Sequence, residues 1–251
     1  MVTLITCTGD RPICFELLEC WISQQSIKPD QWIVVDDGKV PTAIKYDCDY
    51  IRREPKKSDP KFTMLLNLDE AFKHIKGDKI LFIEDDEYYA SNYIKEISGK
   101  LDQYDLVGIG RSKYYHLPAL KWYKHRNMGH ASLAQTGFNK NFFNKAKACM
   151  NGDLFLDIRF WREVNGKMAD QFSLPDSIKE YESKDGRGFI FDDFEKSIYT
   201  GVKGMPGRNG IGIGHNERSC YYPDKDKKIL KSWIVAKEDY NKYLKVREEL
   251  S

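Results

Sequence analysis

The sequence predicts an α/β protein, with a mostly parallel central sheet flanked by helices and a less regular second half. Three observations lead there. Short runs rich in β-branched or other apolar residues, VTLITCT (2–8), QWIVVDDG (31–38) and DKILFIEDDE (78–87), read as buried strands. Between them apolar residues recur at helical spacing: Ile13, Leu17, Leu18, Trp21 and Ile22, then Phe62, Leu65, Leu66, Phe72 and Ile75. The links are short, and strands alternating with helices through short links make a parallel sheet.

Taken in order, Gly9 ends the first strand, and Pro12 stands where a first helical turn favours it, opening a helix that reaches about Gln25. CDYIRRE (48–54) reads as a third strand. After the basic loop PKKSDPK (55–61), the second helix takes Gly77 as its stop. Ser91 is the expected cap of the helix NYIKEISGKL, and DLVGIG (105–110) is a fifth strand. Beyond residue 110 the expectations are helices at 140–149 and near 154–163, a glycine-rich loop GVKGMPGRNGIGIGH (201–215), and a charged amphipathic helix from about Lys225. No repeat or low-complexity linker interrupts the chain. The expected organisation is one domain over 1–251, with halves at about 1–110 and 111–224 and a C-terminal helix at 225–251.

At 41% hydrophobic and 13% aromatic residues over 251 positions, the chain can bury a core without staples. Its six cysteines form no CxxC pair and no zinc cadence, and they read as reduced thiols. Forty basic and thirty-eight acidic residues leave a formal charge of +2, which argues against a strong nucleic-acid binder and makes any anion site a matter of local clustering. No apolar run reaches the roughly 18 residues of a membrane span, and VTLITCT lacks the flanks of a signal peptide. A cytoplasmic setting is the expectation.

Two neighbouring strands end in acids: Asp36-Asp37, and Glu84-Asp85-Asp86-Glu87. Ligands of a parallel sheet sit beyond the carboxyl ends of its strands. Placing both acidic sets on one edge is unfavourable unless a cation or donor hydrogens compensate. A hard divalent ion takes carboxylate oxygens and keeps positions for substrate phosphates. Asp36 or Asp37 suits N–H or O–H donors of a base or ribose. The plain alternative is that each pair caps the helix that follows. Glu87, last in the run, reads as solvated.

TCTGDRP, QWIVVDDG and NLDEAFKHIKGDKILFIEDDEYYASNYI together resemble, over about residues 2–110, the donor half of GT-A glycosyltransferases, particularly the large family 2 group. The resemblance implies a GT-A (Rossmann-like) fold and a hexosyl- or pentosyltransferase that uses a nucleotide-diphosphate sugar, with a UDP-sugar first, and Mn²⁺ or Mg²⁺ at a DxD-type motif. It places Thr8 and Arg11 beside the base, Asp36 and Asp37 on base or ribose, and Asn67 facing the nucleotide. Glu84-Asp85-Asp86 falls on the DxD position, with Asp86 as metal ligand. The glutamate in first place departs from the usual aspartate and leaves Glu84 to the ribose, the metal or neither.

In the second half, transfer to a hydroxyl needs a group that takes a proton, commonly a carboxylate. DLFLDIRFW offers Asp153 and Asp157; the resemblance favours Asp157, at a helix start, while Asp192 and Asp193 compete. Arg208 or Lys203 in the glycine-rich stretch suits a leaving diphosphate. The resemblance assigns His215 as a third metal ligand, whereas His74, His116, His125 and His130 have no such context. RSKYYHLPALKWYKHRNMGH (111–130), basic with interleaved rings, suits a sugar acceptor, a nucleic acid or an ordinary hairpin surface. TGDRP, QWIVVDDG and KGMPGRNGIGIGH further resemble a phage-encoded branch of GT-A-like proteins, which implies hydroxymethylated pyrimidines in DNA as acceptors and a host cytoplasm as the setting. Glycan- or lipid-directed transfer in the same fold and a non-catalytic nucleic-acid-binding module are the alternatives. A nucleotidyltransferase fits less well, because TCTGDRP lacks a glycine-rich, lysine-containing phosphate loop.

Overall fold

A computed structural model of the chain describes residues 1–125, 129–151, 155–167, 169, 174–175, 177–208, 210 and 220–250. Strands β1 (Val2–Thr8), β2 (Gln31–Asp36), β3 (Asp49–Arg52) and β4 (Lys79–Phe82) lie side by side and parallel, in the order β4-β1-β2-β3. Thr8 pairs with Asp36 and Ile5 with Phe82, so the carboxyl ends of three strands meet at one edge. The sheet continues through β9 (Thr136–Asn139), β6 (Leu106–Ile109), β11 (Gly188–Phe191) and β10 (Glu180–Glu182). Of these, β9 and β10 run against their neighbours.

Side chains alternate across this sheet because successive Cβ atoms point to opposite faces. Leu4, Trp32, Val34 and Leu81 pack on one face with helices α1 (Pro12–Ser23) and α3 (Tyr93–Lys100). Ile5, Ile33, Val35 and Phe82 pack on the other with α2 (Met64–Phe72), α4 (Phe143–Cys149) and α5 (Leu156–Asn165). The near-continuous apolar strands are the consequence of a sheet covered on both faces.

A second sheet joins β5 (Tyr88–Tyr89), β7 (Ser112–His116), β8 (Lys121–His125), β12 (Tyr199–Lys203) and β13 (Tyr222–Pro223) in the order β13-β8-β7-β12-β5. β7 and β8 form the hairpin within 111–130. The acidic run Glu84–Glu87 is therefore the link between β4 of the large sheet and β5 of the small one.

Several local expectations change. The second helix ends at Phe72, and Gly77, rather than stopping it, donates its N–H to Thr3 Oγ1 at 3.0 Å. Asn92, not Ser91, precedes α3, and no side chain caps that helix. The start of the glycine-rich stretch is strand, not loop: Gly201 in β12 lies against the Tyr114 ring, where any Cβ would overlap it. The C-terminal segment forms two helices, α6 (Lys228–Trp233) and α7 (Lys237–Glu249), instead of one. The cysteines are free thiols. Among the described residues, no helix is long and apolar enough to cross a membrane.

Candidate active site

A cavity of about 600 Å³ opens at the carboxyl edge of the large sheet, and its lining includes Thr8, Arg11, Asn67, Glu84–Glu87, Asp157, Lys203 and Arg208. Its floor is the acidic link. The Glu84 N–H donates to the Tyr89 hydroxyl at 2.9 Å, and that hydroxyl donates to the Ala134 carbonyl at 3.2 Å, which fixes the turn against the core. Thr8 Oγ1 donates to Asp85 Oδ2 at 2.7 Å. Arg11 reaches both central acids, with Nη1 3.2 Å from Asp85 Oδ1 and Nη2 2.8 Å from Asp86 Oδ2.

Glu87 is not solvated. It is 1% exposed, forms an ion pair with Lys203, and accepts the Val202 N–H at 2.8 Å. The sequence could not show this pairing, because its partners are 116 residues apart. Glu84, Asp86 and Glu87 each present an oxygen atom, all within 4.8 Å of one another. Fully ionised, the four acids outnumber Arg11 and Lys203 by two charges. Burial, with Asp86 and Glu87 nearby, pushes Glu84 up to about 8. Burial and Asp86 push Glu87 up to about 7 even with Lys203 beside it. These are hard oxygen donors that, once ionised, leave two charges unmet, and they fit a divalent ion such as Mg²⁺ or Mn²⁺.

The other acidic strand end divides. Asp36 is fully buried, and its oxygens accept from Gly38 N–H at 2.8 Å, Thr42 N–H at 2.7 Å and the Tyr50 hydroxyl at 2.7 Å. It holds the loop after β2 and does not line the cavity, so the nucleotide contact expected of Asp36 is not where the fold puts it. Asp37 pairs with Arg53 Nη2 at 2.6 Å and with Arg208. Burial raises its pKa, but hydrogen bonds from Arg208, Thr63 and Arg53 outweigh that and hold it below the usual range. Arg53 Nε also donates to Asn67 Oδ1 at 2.5 Å, so Asp37 reaches the cavity through Arg208 and Asn67 rather than directly.

Asp157 also lines the cavity, in the first turn of α5, with Oδ1 accepting the Ile158 N–H at 2.9 Å. Burial raises its pKa, against the pull of the Ile158 N–H and of His130. Tyr114, Tyr123 and His125 of the hairpin line the cavity too, as do His130 and Tyr221. Nothing in the sequence distinguished His125 and His130 from the other histidines; only the hairpin's fold turns them inward. The competitors Asp192 and Asp193 lie elsewhere. Asp192 is 3.3 Å from Arg111, and Asp193 is 3.1 Å from Lys113 and accepts the Ile198 and Tyr199 N–H groups. Asp153 and His215 lie outside the described residues.

No protein-family model matches the sequence, and no curated protein matches it in sequence comparison. In three dimensions the chain is similar to the crystal structure of S. aureus TarS 1-349, with a TM-score of 0.50 at 13% identity over 80% of this chain and 60% of that one. The chain has the GT-A fold. Two further matches are looser. A nucleotidyl transferase from Methanothermobacter thermautotroptrophicus gives a TM-score of 0.49 at 12% identity over 99% and 97% of the two chains. The mannosyltransferase PcManGT from Pyrobaculum calidifontis, in complex with GDP-Man and Mn²⁺, gives 0.45 at 11% over 78% and 58%. The chain thus spans about 60% of the TarS fragment's length. Within the GT-A fold, the cavity sits where parallel α/β sheets bind ligands, beyond the strand carboxyl ends.

Proposed function

We propose that the protein is a divalent-metal-dependent glycosyltransferase that moves a sugar from a nucleotide-diphosphate sugar to a hydroxyl acceptor. The observation that carries this is the triad of carboxylate oxygens from Glu84, Asp86 and Glu87 on the floor of a GT-A cavity. Asp86 and Glu84 would hold the ion, and His215 of the glycine-rich stretch is the proposed third ligand. A bound ion supplies charge neutralisation for the leaving diphosphate. Lys203 and Arg208 add fixed positive charge to the same cavity lining.

The remaining roles belong to the chain's own groups. Thr8, Arg11 and Asn67 border the nucleotide, and Asp37 orients Arg208 toward it. Asp157 faces the acceptor side and takes the hydroxyl proton as the acceptor oxygen bonds to the anomeric carbon. In the same inverting displacement the carbon–oxygen bond to the diphosphate breaks, and the diphosphate departs with its electron pair. Burial makes Asp157 a stronger base than a solvated aspartate. The rings of Tyr114, Tyr123 and Tyr221 offer flat faces for a sugar or acceptor ring.

Calorimetry with UDP and GDP, with and without Mn²⁺, tests the donor half. Tight binding of neither nucleotide under both conditions would leave a non-catalytic module as the better account. A transfer assay with glycan, lipid and hydroxymethylated-pyrimidine DNA acceptors then separates the acceptor classes.

A further inference from the structure

The acidic link already holds a cation of its own. Arg11 is only 8% exposed, and its guanidinium spans Asp85 and Asp86 at 3.2 and 2.8 Å. Its main chain is fixed: the Arg11 carbonyl accepts the Phe15 N–H at 3.0 Å as α1 begins. Gly207, at φ +102°, packs so closely that a Cβ there would lie 2.9 Å from Arg11 Cγ and 3.1 Å from Arg11 Cα. The root of the side chain is clamped while its head bridges the carboxylate that the proposed function gives to the metal.

We propose that Arg11 is a resident counter-ion that couples metal binding to the nucleoside diphosphate, so that the ion binds well only when the diphosphate is present. This rests on the metal-dependent reading of the site. If an ion enters alone and takes Asp86, Arg11 keeps Asp85 but gives up its shorter ion pair, and it stays buried beside a second positive charge with no new anion to pair. When a diphosphate is present, its oxygens give the guanidinium an anionic partner in place of Asp86. Each ligand then raises the affinity of the other by the same factor.

The test is Mn²⁺ binding to the full chain, followed by the paramagnetic resonance signal of free Mn²⁺, with and without UDP or GDP. R11Q is expected to bind Mn²⁺ alone about tenfold more tightly than the wild type, and to lose about tenfold of the coupling to nucleotide. R11K keeps a cation but not the two-pronged bridge, so lone Mn²⁺ is expected to gain about threefold. R11K also serves if R11Q fails to fold. Lone-ion affinity that is unchanged or weaker in a folded R11Q, or unchanged in R11K, overturns the proposal and leaves the metal-dependent reading standing. A wild type that binds no Mn²⁺ even with nucleotide overturns that reading instead.

Discussion

The two acidic strand ends of this fold look alike in sequence and differ in what surrounds them. At the end of β2, Asp36 and Asp37 have their oxygens taken by backbone N–H groups, a tyrosine hydroxyl and three arginines. At the end of β4, four acids share Arg11 and Lys203, and three of them crowd their oxygens within 4.8 Å at a cavity floor. One set is satisfied and the other is short of positive charge. Acidic side chains at a strand end become a candidate site through their unmet charge, not through their number.

That contrast is broken most directly by exchanging the effects of substitution at the two ends. Asp86→Ala is expected to lower transfer by about 10³-fold with the melting temperature held, because it removes a ligand oxygen and relieves crowding. Loss of stability in place of activity would place Asp86 with Asp36. In the same cavity, Asp157→Asn is expected to cost about 10²-fold in turnover while donor binding measured by calorimetry stays unchanged. Near-wild-type turnover would remove Asp157 as the base. Asp36→Ala should do the reverse of Asp86→Ala. One buried and two partly buried donors lose their acceptor, and denaturant unfolding should show a loss of about 3 kcal/mol with activity per folded molecule retained.

Much of the frame was legible in the chain. Strands β1 and β2, the Pro12 helix start and the acid-ended β4 all carry local signals that survive tertiary context. What stayed hidden depends on partners distant in sequence. TGFN forms β9 between β4 and β6 because it finds partners on both sides, although its four residues have no apolar run to announce a strand. Glu87 looked solvated because Lys203 lies in a stretch whose glycines suggested a loop, and in β12 Gly201 allows close packing against Tyr114 instead. The acids of the site could be named from sequence, but the division between Asp36 as loop anchor and Asp37 as a link to Arg208 could not. Neighbours in a strand point to opposite faces, and only the packed fold shows which face meets the cavity.

The smallest expected effect is a pH slope of opposite sense at the two ends. Glu84 and Glu87 in the folded chain stand at about 8 and about 7, against an ordinary 4.5. Between those limits the folded chain keeps protons that the unfolded chain has released, so stability falls as pH rises from about 5 to 8. Asp37 is held below its ordinary 3.8, so its contribution is complete throughout that range and is lost only as pH falls through its folded value. The expected reading is a melting midpoint in EDTA that falls as pH rises through this window. Replacing Glu84 and Glu87 together by Gln should flatten the slope, whereas Asp37→Asn should leave it in place. The difference between wild type and the double Gln variant also isolates the effect from His125, whose burial-lowered pKa makes stability rise with pH. A slope unchanged by the double substitution would mean that the acids at β4 are as well compensated as those at β2, and the charge argument for a cation at the cavity floor would fall with it.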